Sequence, residues 1–345
     1  MRGAEASEYL RATDAWFARH GLTYFVPEER AAVRRALRPS RTALPLLLGL
    51  VVAAALGALL GWATGDAGTG VALLLTVAGL GVTWYALTAL RFRPILGWAL
   101  GRTFGSMARL LPMVLRALPL LLVFATFLFV NADVWQMAAR LETGLLWLTG
   151  LLFGCSAIAF LLVRLPEEVD RVDDDVDAAF LIRACAGTPL ERPCAELVAE
   201  AESGRPESAT RAATDPASYA TISGLERWNL VLALLVIQAV QVLLLALAVF
   251  VFFVVFGALV MGNDVQLGWT QLPSIHSLSW LPSVSVELVR VSVFLAAFSL
   301  LYVTVSTVTD ETYRAQFFGT VLRELERAVG MRAVYLALRD RASAS

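Results

Sequence analysis

The sequence contains no lysine, and this absence excludes several kinds of chemistry. All 28 basic residues are arginine, so the chain has no P-loop lysine, no Schiff-base lysine and no serine–lysine dyad. The two histidines, His20 and His276, belong to no H-E-x-x-H motif, and the sequence has no G-x-S-x-G motif. We therefore expect a protein that is not an enzyme and that holds no cofactor.

The sequence also has only three cysteines, and its positive and negative charges nearly cancel. Cys155 lies in an apolar run, where we expect a small packing residue, while Cys185 and Cys194 lie in a polar segment without a nearby histidine. Structural zinc takes four ligands, so these two thiols do not predict a metal site. The formal net charge of −1 provides no basic field for nucleic acid.

Long apolar runs, in contrast, are abundant. Hydrophobic residues make up 58% of the chain and charged residues 17%, whereas soluble domains average about 45–50% and about 25%. Six runs reach the roughly 20 residues that a membrane-spanning helix needs. They cover residues 43–63, 70–90, 111–131, 143–163, 229–262 and 286–308. The sequence thus predicts an all-α, polytopic membrane helix bundle with six transmembrane helices.

The arginines are concentrated between alternate runs. Segments 1–41, 91–116, 164–227 and 309–345 carry eight, five, seven and six of the 28 arginines. Basic residues collect on the cytoplasmic side of a membrane protein. Arginine use without any lysine also suggests a GC-rich bacterial genome. We therefore predict a multi-pass protein of a bacterial plasma membrane, with both termini in the cytoplasm.

These features divide the chain into five regions. Residues 1–41 form a cytoplasmic N-terminal helical arm, 42–163 hold transmembrane helices 1–4 with a basic interfacial elbow at 91–110, 164–227 form an acidic cytoplasmic loop, 228–308 hold transmembrane helices 5–6 with an outer loop at 262–285, and 309–345 form a cytoplasmic amphipathic helix. The loop carries 14 acidic residues against seven arginines. With few large apolar side chains, it is not expected to form a core of its own.

The elbow is basic and apolar together. Arg91, Arg93, Arg102 and Arg109 can meet anionic lipid headgroups while apolar neighbours lie in the bilayer interface. Two interpretations stay open: a simple interfacial helix, which we prefer, and a regulatory lipid-binding site. The expected partners are the bilayer, its anionic headgroups and a protein at the cytoplasmic face.

Polar side chains within the apolar runs are functional candidates by default. They are Asp133, Glu287, Arg290, Gln238, Gln241 and Arg116. Interface pairing and helix–helix hydrogen bonding form the simpler interpretation, and a polar path for an ion or solute is the alternative. Because three of them lie near one depth on the outer side, we expect Arg290 to pair with Asp133 or Glu287.

The fifth run is too long for a single span. Residues 230–261 are 32 residues without a charge. Residues 242–261 alone reach about 30 Å at about 1.5 Å per residue, which is the thickness of the hydrocarbon core. We therefore place the membrane boundary near Gln241. Residues 230–240 should continue as an apolar helix beneath the membrane, covered by the N-terminal arm, the elbow and the tail. The alternative is a strongly tilted or kinked helix that lies wholly in lipid, with Gly257 as the bend.

Small residues recur every four positions in two of the runs. They are Gly49, Ala53, Gly57 and Gly61 in the first run, and Gly150 and Gly154 in the fourth. Such spacing lets helices approach closely, so it predicts helix packing and says nothing about activity.

Three stretches, "WFARHGLTYFVPEERAAVRRALRP", "LPLLLVFATFLFVNADVWQMA" and "TDETYRAQFF", carry a family resemblance. Through them the chain resembles the uncharacterised six-span integral membrane proteins of high-GC Gram-positive bacteria. The resemblance implies the architecture but no catalytic residue and no substrate. We expect a non-catalytic membrane component that recruits or regulates a partner through cytoplasmic helices. The alternative is a small transporter or channel with a polar path near Asp133, Gln238, Gln241, Glu287 and Arg290.

Overall fold

The computed structural model describes residues 3–105, 121–174, 176–203, 215–279, 281–309 and 311–344. Helices make up most of this part of the chain. They are α1 (Gly3–Arg19), α2 (Pro27–Ala36), α3 (Pro39–Thr64), α4 (Ala67–Thr88), α5 (Arg93–Gly105), α6 (Leu121–Phe129), α7 (Ala132–Arg140), α8 (Thr143–Asp174), α9 (Ala178–Cys185), α10 (Glu191–Ser203), α11 (Gly224–Val260), α12 (Asn263–Thr270), α13 (Val286–Thr309) and α14 (Glu311–Ala344). The short strands β1 (Ser277–Leu278) and β2 (Leu281–Ser285) pair in an antiparallel hairpin.

The helices confirm the predicted polytopic all-α bundle. Helices α3, α4, α8, α11 and α13 are each long and apolar enough to cross a membrane, and α6 with α7 makes a sixth span if the bent pair counts as one. The bend between α6 and α7 is 77°. It follows Phe129 because Asn131 begins a new helix there: its side chain accepts a hydrogen bond from the Asp133 amide at 2.8 Å. Residues 106–120, which include Arg109 and Arg116, lie outside the described part.

Helices α11 and α13 form the centre of the bundle. Their most apolar windows are 33% and 44% buried, against 11% in α3, α4 and α8. Leu288 lies directly on Gly257, where an added Cβ would come within 2.3 Å of the leucine Cδ1. Beside this contact, the rings of Phe129 and Phe253 stack with centroids 4.8 Å apart. The three peripheral helices therefore keep wide apolar faces for lipid.

The prediction that the small residues of the first run mark a helix contact is confirmed in part. A Cβ added at Gly57 would lie 2.6 Å from the carbonyl oxygen of Gly70 on α4, so this glycine lets α3 and α4 approach closely. At Gly49, Gly150 and Gly154, an added Cβ would have no described atom within 4 Å. Among the described residues, the spacing in the fourth run therefore does not mark a helix contact.

One end of the bundle continues into a helical head, composed of α1, α2, α5, α9, α10, α14 and the adjoining ends of α8 and α11. An apolar core joins α1, α8, α9, α10, α11 and α14. A second, smaller cluster with Val33, Ile95 and Ala233 joins α2 and α5 to α11. The described parts of the four arginine-rich segments meet at this end.

Most of the described part of segment 164–227 is helical. Helix α8 continues beyond residue 163, through Pro166, to Asp174. Its buried positions Leu165, Val169 and Val172 form a stripe at helical spacing that packs into the head. Helices α9 and α10 join the same core, so the segment contributes to a shared core. The sequence of residues 205–218, "RPESATRAATDPAS", predicts a flexible loop. Its part up to residue 214 lies outside the described residues, and Pro216–Tyr219 forms a short 3-10 helix.

The tail helix α14 is more central than an amphipathic surface helix. Leu325 and Val329 face the core, in line with the predicted apolar side. Further along, the buried positions follow one another on most sides of the helix: Met331, Ala333, Val334, Tyr335, Ala337 and Leu338. Around this part α14 is surrounded by the rest of the head.

The other end of the bundle, which the arginine pattern predicts to face outward, is closed by what we call the outer cap, composed of α7, α12 and the β1–β2 hairpin. Trp135 is completely buried there and packs edge-on against Trp269 at 6.2 Å. Gln266 is also buried; its Nε2 donates to the Met261 carbonyl at 2.8 Å, and its Oε1 accepts from the Ser285 hydroxyl. The described part of the outer segment 262–285 is therefore held by side-chain hydrogen bonds.

Candidate functional site

The head half of α11 is covered in the way the sequence predicts. Leu230 and Leu234 lie in the core shared with α1 and α14. Ala233 packs with Ile95 of the elbow helix α5 and with Tyr24 of the N-terminal arm. The N-terminal arm, the elbow and the tail helix thus all contact residues 230–240 of α11, which we call the extension. The position of the membrane boundary near Gln241 stays a prediction.

Asn229 fixes the N-terminal arm to α11. The side chain is fully buried; its Oδ1 accepts from the Tyr24 amide at 2.8 Å, and its Nδ2 donates to the Gly21 carbonyl at 2.8 Å. Gly21 has a φ of +69°, the left-handed conformation expected of a glycine that ends a helix. One amide therefore satisfies two buried backbone groups at the turn between α1 and α2.

An ionic triad around one buried carboxylate joins three elements of the head. Glu226, at the start of α11, is 3% exposed. Its Oε1 lies 2.5 Å from Nη1 of Arg30 on α2, and its Oε2 lies 2.6 Å from Nε of Arg332 on α14. Arg332 also donates from Nη1 to the Tyr219 carbonyl at 2.6 Å. A buried carboxylate bound by two guanidinium groups fixes the relative positions of α2, α11 and α14.

Two buried tyrosines of the head serve as hydrogen-bond donors. Burial raises the pKa of Tyr24 to about 12, and its hydroxyl donates to the Leu90 carbonyl at 2.7 Å. Burial, with Asp14 beside it, likewise raises the pKa of Tyr335 to about 12. Burial also raises the pKa of Asp14, although the hydrogen bond to Tyr335 opposes this shift. Both phenols therefore stay neutral around physiological pH.

The predicted intramembrane polar residues fall into two separate groups. Gln238 and Gln241 lie near the head and are 1% and 6% exposed. Asp133, Glu287 and Arg290 lie at the outer cap. Between them, the buried α11 positions are apolar: Val242, Leu245, Ala246, Val249 and Phe253. Along α11 the structure therefore has no continuous polar lining among the residues that it describes.

The expected pairing of Arg290 is wrong. Its Nη1 donates to the Ala139 carbonyl at 2.9 Å, and no ion pair joins it to Asp133 or Glu287. Glu287 accepts from the backbone amide of His276 at 3.1 Å and lies 3.0 Å from the Nδ1 of that histidine. The reason is geometric: the hairpin brings His276 onto the buried carboxylate, while the end of α7 offers Arg290 a free carbonyl.

Gln238 is buried with both amide atoms unpaired, and Gln241 has an unpaired Oε1, within the part of the chain that the structure describes. An unsatisfied buried amide costs about 1–3 kcal/mol. We therefore expect Gln238→Leu to raise the free energy of unfolding by about 1 kcal/mol, measured by thermal unfolding in detergent. The matched control is Gln266→Leu, which removes a fully bonded buried amide and should destabilise by a similar amount.

The opposite result for Gln238 would have a clear meaning. If Gln238→Leu destabilises the protein as much as the Gln266 control does, then the Gln238 amide has a hydrogen-bond partner in the folded protein. Bound water or a solute would supply such a partner, and this outcome would favour the polar-path alternative.

The expected contact of the elbow arginines with anionic headgroups stays a prediction, while two of them form ion pairs within the protein. Arg91 forms an ion pair with Glu29 of α2, and Arg102 forms one with Glu324 of α14. Arg93 is exposed at the start of α5, and Arg109 lies outside the described residues. Two of the four candidates for anionic headgroups therefore join the elbow to the rest of the head.

All three cysteines have environments that the sequence did not show. Cys155 is exposed on the outer surface of α8, so the expected packing role is wrong. Cys185 and Cys194 are 1% and 0% exposed. The hydrogen bond with Cys194 and burial raise the pKa of the Cys185 thiol. Cys185 is therefore protonated and shielded from reagents.

Burial of these thiols changes how membrane sidedness can be tested. A membrane-impermeant thiol reagent is expected to miss Cys185 and Cys194 even in opened cells, because neither thiol contacts solvent. In a background with all three cysteines replaced by alanine, Ala199→Cys on exposed α10 should react only after cells are opened. Asn263→Cys on the exposed cap should react in intact cells. Labelling of Ala199→Cys in sealed cells would contradict the arginine-based orientation.

Sequence reasoning missed Glu226, Asn229 and Gln266. Each polar side chain stands at one end of a long apolar run, where a solvated position is the ordinary expectation. The available signal was the apolar run that begins at Leu230, directly after Asn229, because a polar residue within a coated helix must be hydrogen-bonded. Its partners could not be named, since they lie 205 and 208 positions away.

No protein-family model, curated protein or solved structure matches this chain.

Proposed function

We propose that the protein is a non-catalytic component of a bacterial plasma membrane that recruits or regulates a partner through its helical head. The observation that supports this most is α11, an unbroken helix of 37 residues. At about 1.5 Å per residue it is about 55 Å long, against about 30 Å for the hydrocarbon core. Because α11 packs in both the bundle and the head, a displacement of one of them is transmitted to the other.

The orientation belongs to the same proposal. Four arginine-rich segments supply the head, and basic residues favour the cytoplasmic side. The head and both termini would then lie in the cytoplasm, where a partner can reach them. Membership among six-span membrane proteins of high-GC Gram-positive bacteria, which the sequence resembles, fits this arrangement.

The surface of α9 offers a contact point for a partner. Ile182 is 51% exposed, while the neighbouring Phe180 and Leu181 are buried. An exposed large apolar side chain on a rigid helix is the kind of residue that becomes buried in a protein interface. The Ile182→Asp variant should keep the fold, since the side chain points away from the core.

Co-purification tests the proposal. The full-length protein is expressed in its natural host, crosslinked in cells and purified, and the stoichiometry of any partner is measured. We expect a stoichiometric partner that Ile182→Asp removes and that Leu267→Asp, an equal change at an exposed cap position, retains. Solute flux in liposomes that contain only this protein, without any partner, would contradict the proposal.

The unpaired amides of Gln238 and Gln241 favour a second candidate, a small transporter or channel. Such a protein would need a conformation in which the apolar contacts around Phe253 separate and connect the glutamines to Glu287. Flux in liposomes that is abolished by Gln238→Leu would support this candidate.

A further inference from the structure

The arginines of the head and the neighbouring segments are mostly engaged. Carboxylates pair with Arg30, Arg91, Arg102, Arg164, Arg171, Arg192, Arg227, Arg332 and Arg341. Five exposed arginines, Arg34, Arg35, Arg38, Arg93 and Arg183, have no ion pair or side-chain hydrogen bond with the residues that the structure describes. Arg34, Arg35 and Arg38 are grouped at the end of α2. We call these three the α2 arginine patch.

The patch lies where the chain enters the apolar bundle. Arg38 precedes by four residues the apolar span Thr42–Thr64, a rise of about 6 Å along a helix. The Tyr85 hydroxyl donates to the Ala36 carbonyl at 3.0 Å, which joins the end of α2 to the end of the second span. With Thr42–Thr64 as the membrane span, the patch would lie at the depth of the lipid headgroups, which form a layer of about 5–8 Å on each side of the core.

The apolar surface next to the patch is open to lipid chains. Leu44 and Leu48 on α3 are 72% and 63% exposed, and Trp84 on α4 is 71% exposed. An anionic phospholipid can place its chains on this face and its phosphate beside the arginines. A soluble acidic peptide would fit the charges but would not cover the apolar face.

The patch also contains one acidic side chain. Glu28 lines the same groove of α2 as Arg34, Arg35 and Arg38, and it is exposed. A carboxylate repels a headgroup that carries its own carboxylate, whereas it accepts hydrogen bonds from headgroup hydroxyls. Guanidinium groups bind phosphate oxygens in a bidentate manner. The groove thus combines phosphate recognition with a preference for hydroxyls.

We propose that the α2 arginine patch and Glu28 bind the headgroup of an anionic phospholipid of the phosphatidylglycerol type, whose acyl chains lie on the exposed faces of α3 and α4. The site is distinct from the elbow, where Arg91 and Arg102 are already paired within the protein. It goes beyond the proposed recruitment function and does not depend on it.

Lipid titration of the full-length protein tests this proposal, with native mass spectrometry as the readout. The probes are phosphatidylglycerol, phosphatidylserine and phosphatidylcholine of identical chains. Wild type should prefer phosphatidylglycerol over both of the others. Removing three contacts of about 1 kcal/mol each should weaken phosphatidylglycerol binding about hundredfold in Arg34→Gln/Arg35→Gln/Arg38→Gln. The control Arg11→Gln/Arg19→Gln/Arg183→Gln removes the same charge from exposed head positions and should bind as wild type does.

Two further measurements test the role of Glu28 and distinguish a lipid headgroup from free phosphate as the bound anion. Glu28→Gln should reduce the preference for phosphatidylglycerol over phosphatidylserine, and it also serves if the triple variant does not fold. Millimolar inorganic phosphate should not displace the lipid. Any of three results would overturn the proposal. The wild type could lack a preference for phosphatidylglycerol, the triple variant could bind this lipid as tightly as the wild type does, or free phosphate could displace the lipid.

Discussion

Replacing Glu226 by glutamine is expected to lower the free energy of unfolding by about 3–5 kcal/mol. Removal of the buried carboxylate leaves two partly buried guanidinium groups, 20% and 11% exposed, without their counter-charge. Here the carboxylate holds two guanidinium groups, from Arg30 and Arg332. We expect the head to lose its packing between α2, α11 and α14, measured as a lower midpoint of denaturation in detergent.

An exposed ion pair provides the matched control. Glu196 pairs with Arg192 on α10, with side chains 44% and 76% exposed. Exposed pairs of this kind contribute about 0–1 kcal/mol, so Glu196→Gln should change the midpoint little. If the two variants unfold alike, the triad does not hold the head together.

Replacing Asn229 by leucine is expected to destabilise the protein by about 2–4 kcal/mol. The change leaves the Tyr24 amide and the Gly21 carbonyl without their partner, and each unsatisfied buried group costs about 1–3 kcal/mol. The N-terminal arm should detach from α11 before the rest of the protein unfolds. Hydrogen exchange of the Tyr24 amide, which has its hydrogen bond to Asn229, measures this directly.

The same substitution at an exposed asparagine controls for the added apolar surface. Asn263 at the start of α12 is exposed, so Asn263→Leu should leave exchange at Tyr24 unchanged. Slow exchange at Tyr24 in the Asn229→Leu variant would show that the arm is held by other contacts.

Much of the fold could be predicted because apolar length and arginine placement are local signals. The membrane spans could be predicted from apolar runs such as 43–63 and 286–308, which form α3 and α13 in the structure. The coated extension of α11 could also be predicted, since 32 uncharged residues exceed one bilayer thickness. A surplus of apolar helix must be covered by something, and amphipathic segments were available in the arm and tail.

The helical continuation of α8 could have been found from the sequence but was hidden by a conflicting signal. Pro166 and the following acids suggest a helix end. The apolar positions Leu161, Leu165, Val169 and Val172 nevertheless continue at helical spacing. Burial of this stripe in the head outweighs the hydrogen bond that proline removes.

The pairings of the candidate site could not be predicted, because they join distant parts of the chain. Arg30 and Arg332 come to Glu226 from either end of the sequence, and His276 reaches Glu287 through a hairpin. Charge and hydropathy identify which side chains need partners. The tertiary fold decides which partners they receive, as Arg290 illustrates by bonding to the Ala139 carbonyl.

The depth of α11 in the bilayer tests the central claim, that the helix leaves the membrane near Gln241 and enters the head. Spin labels are placed at exposed positions of α11: Trp228, Leu243, Val251 and Leu259. Val249, although inside the span, is fully buried and would not report on lipid.

At each spin label, the collision rate with lipid-soluble oxygen is compared with the collision rate with a water-soluble paramagnetic relaxation agent. Our account predicts the highest oxygen exposure at Val251, similar shallow values at Leu243 and Leu259, and water exposure at Trp228. A helix lying wholly in lipid would instead have its midpoint near residue 245. Deep oxygen exposure at Leu243, with only Leu259 shallow, would contradict the account.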